Sequence, residues 1–218
     1  MVVSSQKKKG SQSILSLLCG IVLCCTLCLP GCIEYTTAYI PDEYLANGWY
    51  EDIVLRNTGT QVFGLDQWTE VTYRNQGAYP AWISVTTLKT LVLQDEQQLI
   101  ELINTSIHDM LLHESMTLNA SSRTQGNRML TNEHTSLYIT YHGSQEHHNT
   151  TRLFRVIGEI WNCGYSGTSI LCYGFAYSTQ ENSTEMSLDA WHQIIQNKEG
   201  SIEQASGMDG LLDHVQCH

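Results

Sequence analysis

The chain has 218 residues, with 11 Lys and Arg against 22 Asp and Glu and a formal net charge of −11. That excess of acid excludes a surface that grips nucleic acid through its phosphates. The length suits one domain with short appendages, and no internal repeat or glycine-rich phosphate loop occurs.

Lys7, Lys8 and Lys9 precede an uncharged apolar run from Ile14 to Leu29. A basic cluster, a short apolar core and a small-residue exit describe an export signal. The run is shorter than the roughly 20 residues of a spanning helix. The exit, Leu29-Pro30-Gly31-Cys32, resembles the lipobox of prokaryotic lipoproteins, with Leu at −3, a small residue at −1 and Cys at +1. The resemblance implies cleavage after Gly31 and a lipid on Cys32, which divides the chain into a signal (1–31), a tether (32–47) and a domain (48–218). An uncleaved anchor is the alternative; both place the domain outside the cytoplasm, at the cell membrane. The three lysines leave with the signal, so 8 basic residues face 22 acidic ones in the mature chain, a net charge of −14.

Within the domain, the segments at 49–57 and 60–66 read as strands broken at Asn57-Thr58-Gly59. The run 67–75 alternates Thr69, Val71 and Tyr73 against Trp68, Glu70 and Thr72, as a half-buried strand does. A turn at 75–77 leads to a β-branched run from Ala81. From Asp95 to about Glu114 the spacing of Leu99, Ile103, Ile107, Met110 and Leu111 becomes helical, with Asp95 and Gln98 placed to cap the first turn. The polar stretch 115–136 reads as a surface loop. Strands follow at 136–142, 152–163 and 168–178, with a hairpin tip at 143–151. A final helix begins at Ser187 and shows Leu188, Trp191, Ile194 and Ile195 on one side.

Strands, one long helix, three strands and one helix describe an α+β fold built on an antiparallel sheet of about six strands. The strings "GWYED" at 48–52, "YPAWISVTTLK" at 79–89 and the helix from Asp95 resemble the PsbP-like family, named for the photosystem II extrinsic protein. That resemblance implies an α-β-α sandwich and a non-catalytic adaptor. "WNCGYSGTSILCYGFA" with the closing "CH" is similar to cell-surface lipoproteins of methanogenic archaea.

Of eight cysteines, four lie in the signal and Cys32 is taken by the lipid, leaving Cys163, Cys172 and Cys217. Pairing across the 164–167 turn sets Cys163 near Thr168. Cys172 is then four residues away, about 13 Å along a strand, beyond disulfide reach. A Cys163–Cys217 disulfide is therefore expected, with Cys172 a buried thiol. Asn119, Asn149 and Asn182 are candidate glycan acceptors in N-x-[ST] sequons; the sequon at Asn104 falls in the predicted helix.

Chemistry-bearing motifs are sparse. His142, His147 and His148 around the hairpin tip are weak metal candidates, because neighbours on a strand point to opposite faces. "HESMT" at 113–117 lacks the second histidine of the zinc helix, and "GYSGT" at 164–168 is not a nucleophile elbow. Trp68 and Trp82 are candidates for an exposed aromatic patch. No cofactor is implied. The sequence points to a non-enzymatic binding or accessory protein, held to the membrane by its N-terminus and meeting an extracytoplasmic protein. The alternatives are a hydrolase with a loop-built site and a metal-handling lipoprotein.

Overall fold

Eight antiparallel strands form one sheet in the computed structural model. It describes residues 37–61, 66–76, 81–89, 95–113, 116–147, 150–177, 189–195 and 210–217. The strands are β1 (Trp49–Glu51), β2 (Asn57–Gln61), β3 (Asp66–Asn75), β4 (Ala81–Lys89), β5 (Met116–Met129), β6 (Thr135–His147), β7 (Thr150–Cys163) and β8 (Thr168–Tyr177). The spatial order is β1-β3-β4-β8-β7-β6-β5, and β2 shares the outer edge of β3 with β1. Two α-helices are described, α1 (Glu96–His113) and α2 (Asp189–Ile195), and a short 3₁₀ turn, Leu211–His214, closes the chain.

The expected PsbP-like α-β-α sandwich over about six strands is corrected by this sheet of eight. The helical layers are also smaller than a sandwich needs. The α1 helix covers β5, β6 and β7 at one end of one face, and α2 is a seven-residue helix on the other face against β8 and β4. Two stretches read as turn or loop are strands. The break expected at Asn57-Thr58-Gly59 is part of β2, which pairs with β3, and most of the polar 115–136 segment is β5, which pairs with β6 from Met116↔Gln145 to Met129↔Thr135. The strand β5 is polar because it is an edge whose side chains are mostly solvated. It lacks the apolar alternation that marks a strand in sequence, and its pairing comes from the free edge of β6. The hairpin tip also shrinks, since strand pairing runs out to His147↔Thr150.

Where one face is buried, the periodicity reads correctly. In α1, Leu99, Ile103, Ile107 and Leu111 are buried against Ile139, Phe154, Val156 and Ile160. Each such side chain stabilises the fold by about 1.5–3 kcal/mol relative to exposure. The helix begins in a reciprocal cap: the Gln98 amide donates to Asp95 Oδ1 at 2.9 Å, and the Asp95 amide donates to Gln98 Oε1 at 3.1 Å. Gly158 lets the helix approach, since a Cβ there would lie 2.3 Å from Ile103 Cγ2.

The opposite face buries Val71, Ile83, Val85, Ile157, Trp161 and Ile170. Its cover is assembled from separated pieces: Ala38 and Ile40, then Trp191, Ile194 and Ile195 of α2, then Leu212 and Val215 of the tail. Ala38 and Ile40, in the stretch read as tether, thus lie in the core, where the Ala38 amide donates to Thr87 Oγ1 and the Ile40 amide to the Tyr73 hydroxyl. A bridge between Tyr39 and Gln216 ties the two ends of this cover together.

Candidate functional site

The tail 210–217 brings two clusters of chemistry-bearing side chains together on this second face. The first surrounds Glu159, the charged residue inside the apolar run of β7. Alternation points Glu159 to the same face as Ile157 and Trp161, and its side chain is 0% exposed. A buried carboxylate is tolerated only when paired and hydrogen-bonded. Arg128 of β5 supplies the partner with a two-pronged contact, Nε to Oε1 at 2.7 Å and Nη2 to Oε2 at 2.8 Å. The Ser136 hydroxyl adds a third bond to Oε1 at 2.5 Å.

The remaining prong of the same guanidinium reaches the tail, donating from Nη1 to Asp213 Oδ1 at 2.8 Å. Asp213 Oδ2 accepts from the Gly210 amide at 3.0 Å. Burial works against the Arg128 cation, but the Glu159 and Asp213 carboxylates hold its pKa above the ordinary arginine value. Burial raises the Asp213 carboxyl, and the opposing pull of Arg128 does not fully cancel it. Every charged atom of this group is engaged inside it, so its chemistry is that of a clamp between sheet and tail.

The second cluster sits at the end of β7. Cys163 pairs with Thr168 across the hairpin, and Cys172 lies opposite Glu159, deeper in the sheet. Cys217 Sγ stands 2.7 Å from Cys163 Sγ, in contact but short of covalent bonding distance. The structure thus brings together the two thiols expected to pair. It adds a residue that the sequence reading did not single out: His134 of the β5–β6 turn, whose Nε2 lies 3.5 Å from Cys217 Sγ. The other ring nitrogen, Nδ1, faces the Asn132 carbonyl at 3.1 Å. A carbonyl only accepts, so Nδ1 carries a proton, and Nε2 is the ring nitrogen turned toward the sulfurs.

Burial pushes the Cys163 thiol up, but hydrogen bonding led by Cys217 and Ser166 outweighs it and brings the pKa down to about 6. Burial, with the bond to Cys163 adding, pushes Cys217 up to about 12. Cys172 is raised by burial in its apolar strand, as an inert thiol is. Among the described residues, His134, Cys163 and Cys217 are a group that could ligate a soft metal, their donor atoms lying within 4.8 Å of one another. Tetrahedral zinc with bonds of about 2.3 Å holds two sulfurs about 3.8 Å apart. The observed 2.7 Å is shorter than that spacing.

Among the described residues, the remaining sequence candidates do not converge. Cys32, His148, Asn149 and Asn182 lie outside the described residues. His142 and His147 are five residues apart on β6, about 17 Å along a strand. His142 is half-buried opposite Arg155, and burial, with Arg155 adding, lowers its pKa. Asn119 is exposed beside a register break in β5, and its side-chain oxygen accepts from the amide and hydroxyl of Ser121. Asn104 is half-buried on α1 and accepts from the Tyr141 hydroxyl at 2.7 Å. Trp82 is half-buried and stacks on Phe175, and Trp68 is half-buried.

The conspicuous exposed apolar group lies elsewhere, on the 3₁₀ turn Ile53–Leu55 that bulges between β1 and β2. Ile53 is 75% exposed, Val54 91% and Leu55 39%. The acidic residues flanking it are paired, Glu51 with Arg56 at 2.8 Å and Asp52 with Arg74 at 3.2 Å. Among the described residues no helix is long and apolar enough to cross a membrane. No family model, curated protein or solved structure matches the chain.

Proposed function

We propose that the chain is a lipid-anchored extracytoplasmic accessory protein that binds a partner protein rather than transforming a substrate. In this reading Cys32 becomes the lipidated N-terminus and the domain stands outside the membrane. Two acyl chains would hold it there, at about 0.8 kcal/mol per buried CH₂. The observation that carries the binding role is the Ile53-Val54-Leu55 tip. Nothing in the fold needs three aliphatic side chains in water, and exposed apolar groups mark contact surfaces. The pairing of Glu51 and Asp52 with arginines supports it further. On a mature chain of net charge −14, that local neutrality lets a partner approach without like-charge repulsion.

The test has two arms. Intact-mass analysis of membrane-derived protein should give a chain that begins at Cys32 and carries lipid. A photo-crosslinking residue at position 54 should trap a defined protein neighbour, and the same probe on exposed Thr117 should not. Retention of Met1 on a chain that fractionates with the cytosol would overturn the anchor. Equal trapping at the two positions would overturn the binding tip.

A further inference from the structure

The end of the chain is held to the sheet at many points. Asp213 accepts from Arg128, the Asp213 carbonyl accepts from the Thr131 hydroxyl, the Val215 carbonyl accepts from Asn132 Nδ2 at 2.9 Å, and Gln216 exchanges two backbone bonds with Tyr39. These contacts deliver Cys217 onto Cys163 and to within 3.5 Å of His134 Nε2. The two sulfurs are 54 residues apart in sequence, so only the docked tail brings them together.

We infer that Cys163, Cys217 and His134 form a dithiol centre that closes to a disulfide by exchange with an external disulfide, locking the docked tail onto the sheet. The roles follow from the surroundings. Cys163 stays in place on β7 when the tail frays and so meets the external disulfide first, whereas Cys217 arrives with the docking tail. The Cys163 thiolate attacks one sulfur of the external disulfide, forming a mixed disulfide and releasing the first thiolate. Cys217 gives its proton to Nε2 of His134, and its sulfur attacks Cys163 Sγ. The Cys163–Cys217 bond forms and the second external thiolate leaves. Two thiols are oxidised by two electrons, the external disulfide is reduced to two thiols, and His134 passes its proton to solvent. Both cysteines are fully covered in the docked state, so the first attack takes place while the tail is docking or frayed, and the second seals it. His134 acts through Cys217 and is a positioning residue for its proton.

The experiment uses the full chain, purified reduced and equilibrated in a buffer of oxidised and reduced glutathione. Thiols are then alkylated and the peptides mapped by mass. The expected product is a Cys163–Cys217 peptide pair two hydrogens lighter than the sum of its members, with Cys172 alkylated only after denaturation. The closed form should protect the amides of 210–217 from hydrogen exchange at least tenfold better than the reduced form. Cys163→Ser and Cys217→Ser should each abolish closure. His134→Gln should slow closure severalfold and alter its pH profile, a change that loss of packing alone would not produce. The titratable groups facing the pair are His134 and, deeper in the sheet, Cys172. Alkylation of Cys163 and Cys217 after equilibration with oxidised glutathione would overturn the inference. So would one zinc or copper(I) ion per chain retained by the reduced protein. These outcomes are independent of the anchor: a chain that closes its dithiol and yet keeps Met1 sinks the lipid reading alone.

Discussion

Replacing Arg128 by alanine tests the clamp between sheet and tail. The guanidinium makes three charge-assisted bonds of 2.7–2.8 Å to two carboxylates. Its side chain is 9% exposed, and those of Glu159 and Asp213 are 0% and 6% exposed. Arg128→Ala therefore leaves two carboxylates in the interior facing one another's charge, with only Ser136 and the Gly210 amide to support them. Breaking a buried pair in this way costs about 3–5 kcal/mol. That is a large part of the roughly 5–15 kcal/mol that holds a domain folded. Urea unfolding followed by tryptophan fluorescence measures it, since Trp161 and Trp191 lie on the same face. A double-mutant cycle with Glu159→Gln isolates the pair, and the cost of Arg128→Ala should fall by more than about 1.5 kcal/mol once the carboxylate is gone. Lysine should not rescue, because one ammonium cannot reproduce the planar fork that spans both acids. The reasoning fails if Arg128→Ala costs less than about 1 kcal/mol, the value of a solvated surface pair, or if the two substitutions are additive.

A Cβ on Gly210 would lie 2.5 Å from the Ile194 carbonyl oxygen and 2.6 Å from the Ile195 carbonyl carbon, so Gly210→Ala should push the tail off α2. The expected cost is about 1–3 kcal/mol, with faster hydrogen exchange confined first to 210–217. Ile53→Ser with Val54→Ser should change unfolding by less than about 0.5 kcal/mol, as both are solvated, while abolishing crosslinks made from position 55. Acidification tests His142, whose folded pKa lies below the ordinary 6.5. Below that value the unfolded chain binds more protons, so the histidine's contribution is complete above pH 6.5 and is lost as pH falls through the folded pKa. Plotting stability against pH for His142→Gln should show a flatter decline below pH 6.5 than in the native chain; an unchanged slope would remove His142 as its source.

The sequence by itself determined the elements that bury one face against a local period. The spacing of Leu99, Ile103, Ile107 and Leu111 placed α1, and Asp95 with Gln98 placed its start. Alternation in β3 and the turn at 164–167 set registers that can be counted residue by residue, down to Cys163 opposite Thr168. Such features are legible because backbone geometry fixes the period and burial of a single face imposes it on the side chains. Glu159 is a charge inside an apolar strand, a signal that the sequence reading passed over, and its partner carries no such mark. The tertiary structure decided the rest. A solvated edge such as β5 shows no clear apolar period, because most of its side chains meet water, and its pairing is dictated by β6. Arg128 lies 31 residues from Glu159 and 85 from Asp213, and His134 lies 83 from Cys217. No local rule relates residues so far apart. They meet because the final segment folds back over a sheet face that α1 leaves bare, and burying that face brings both clusters into existence.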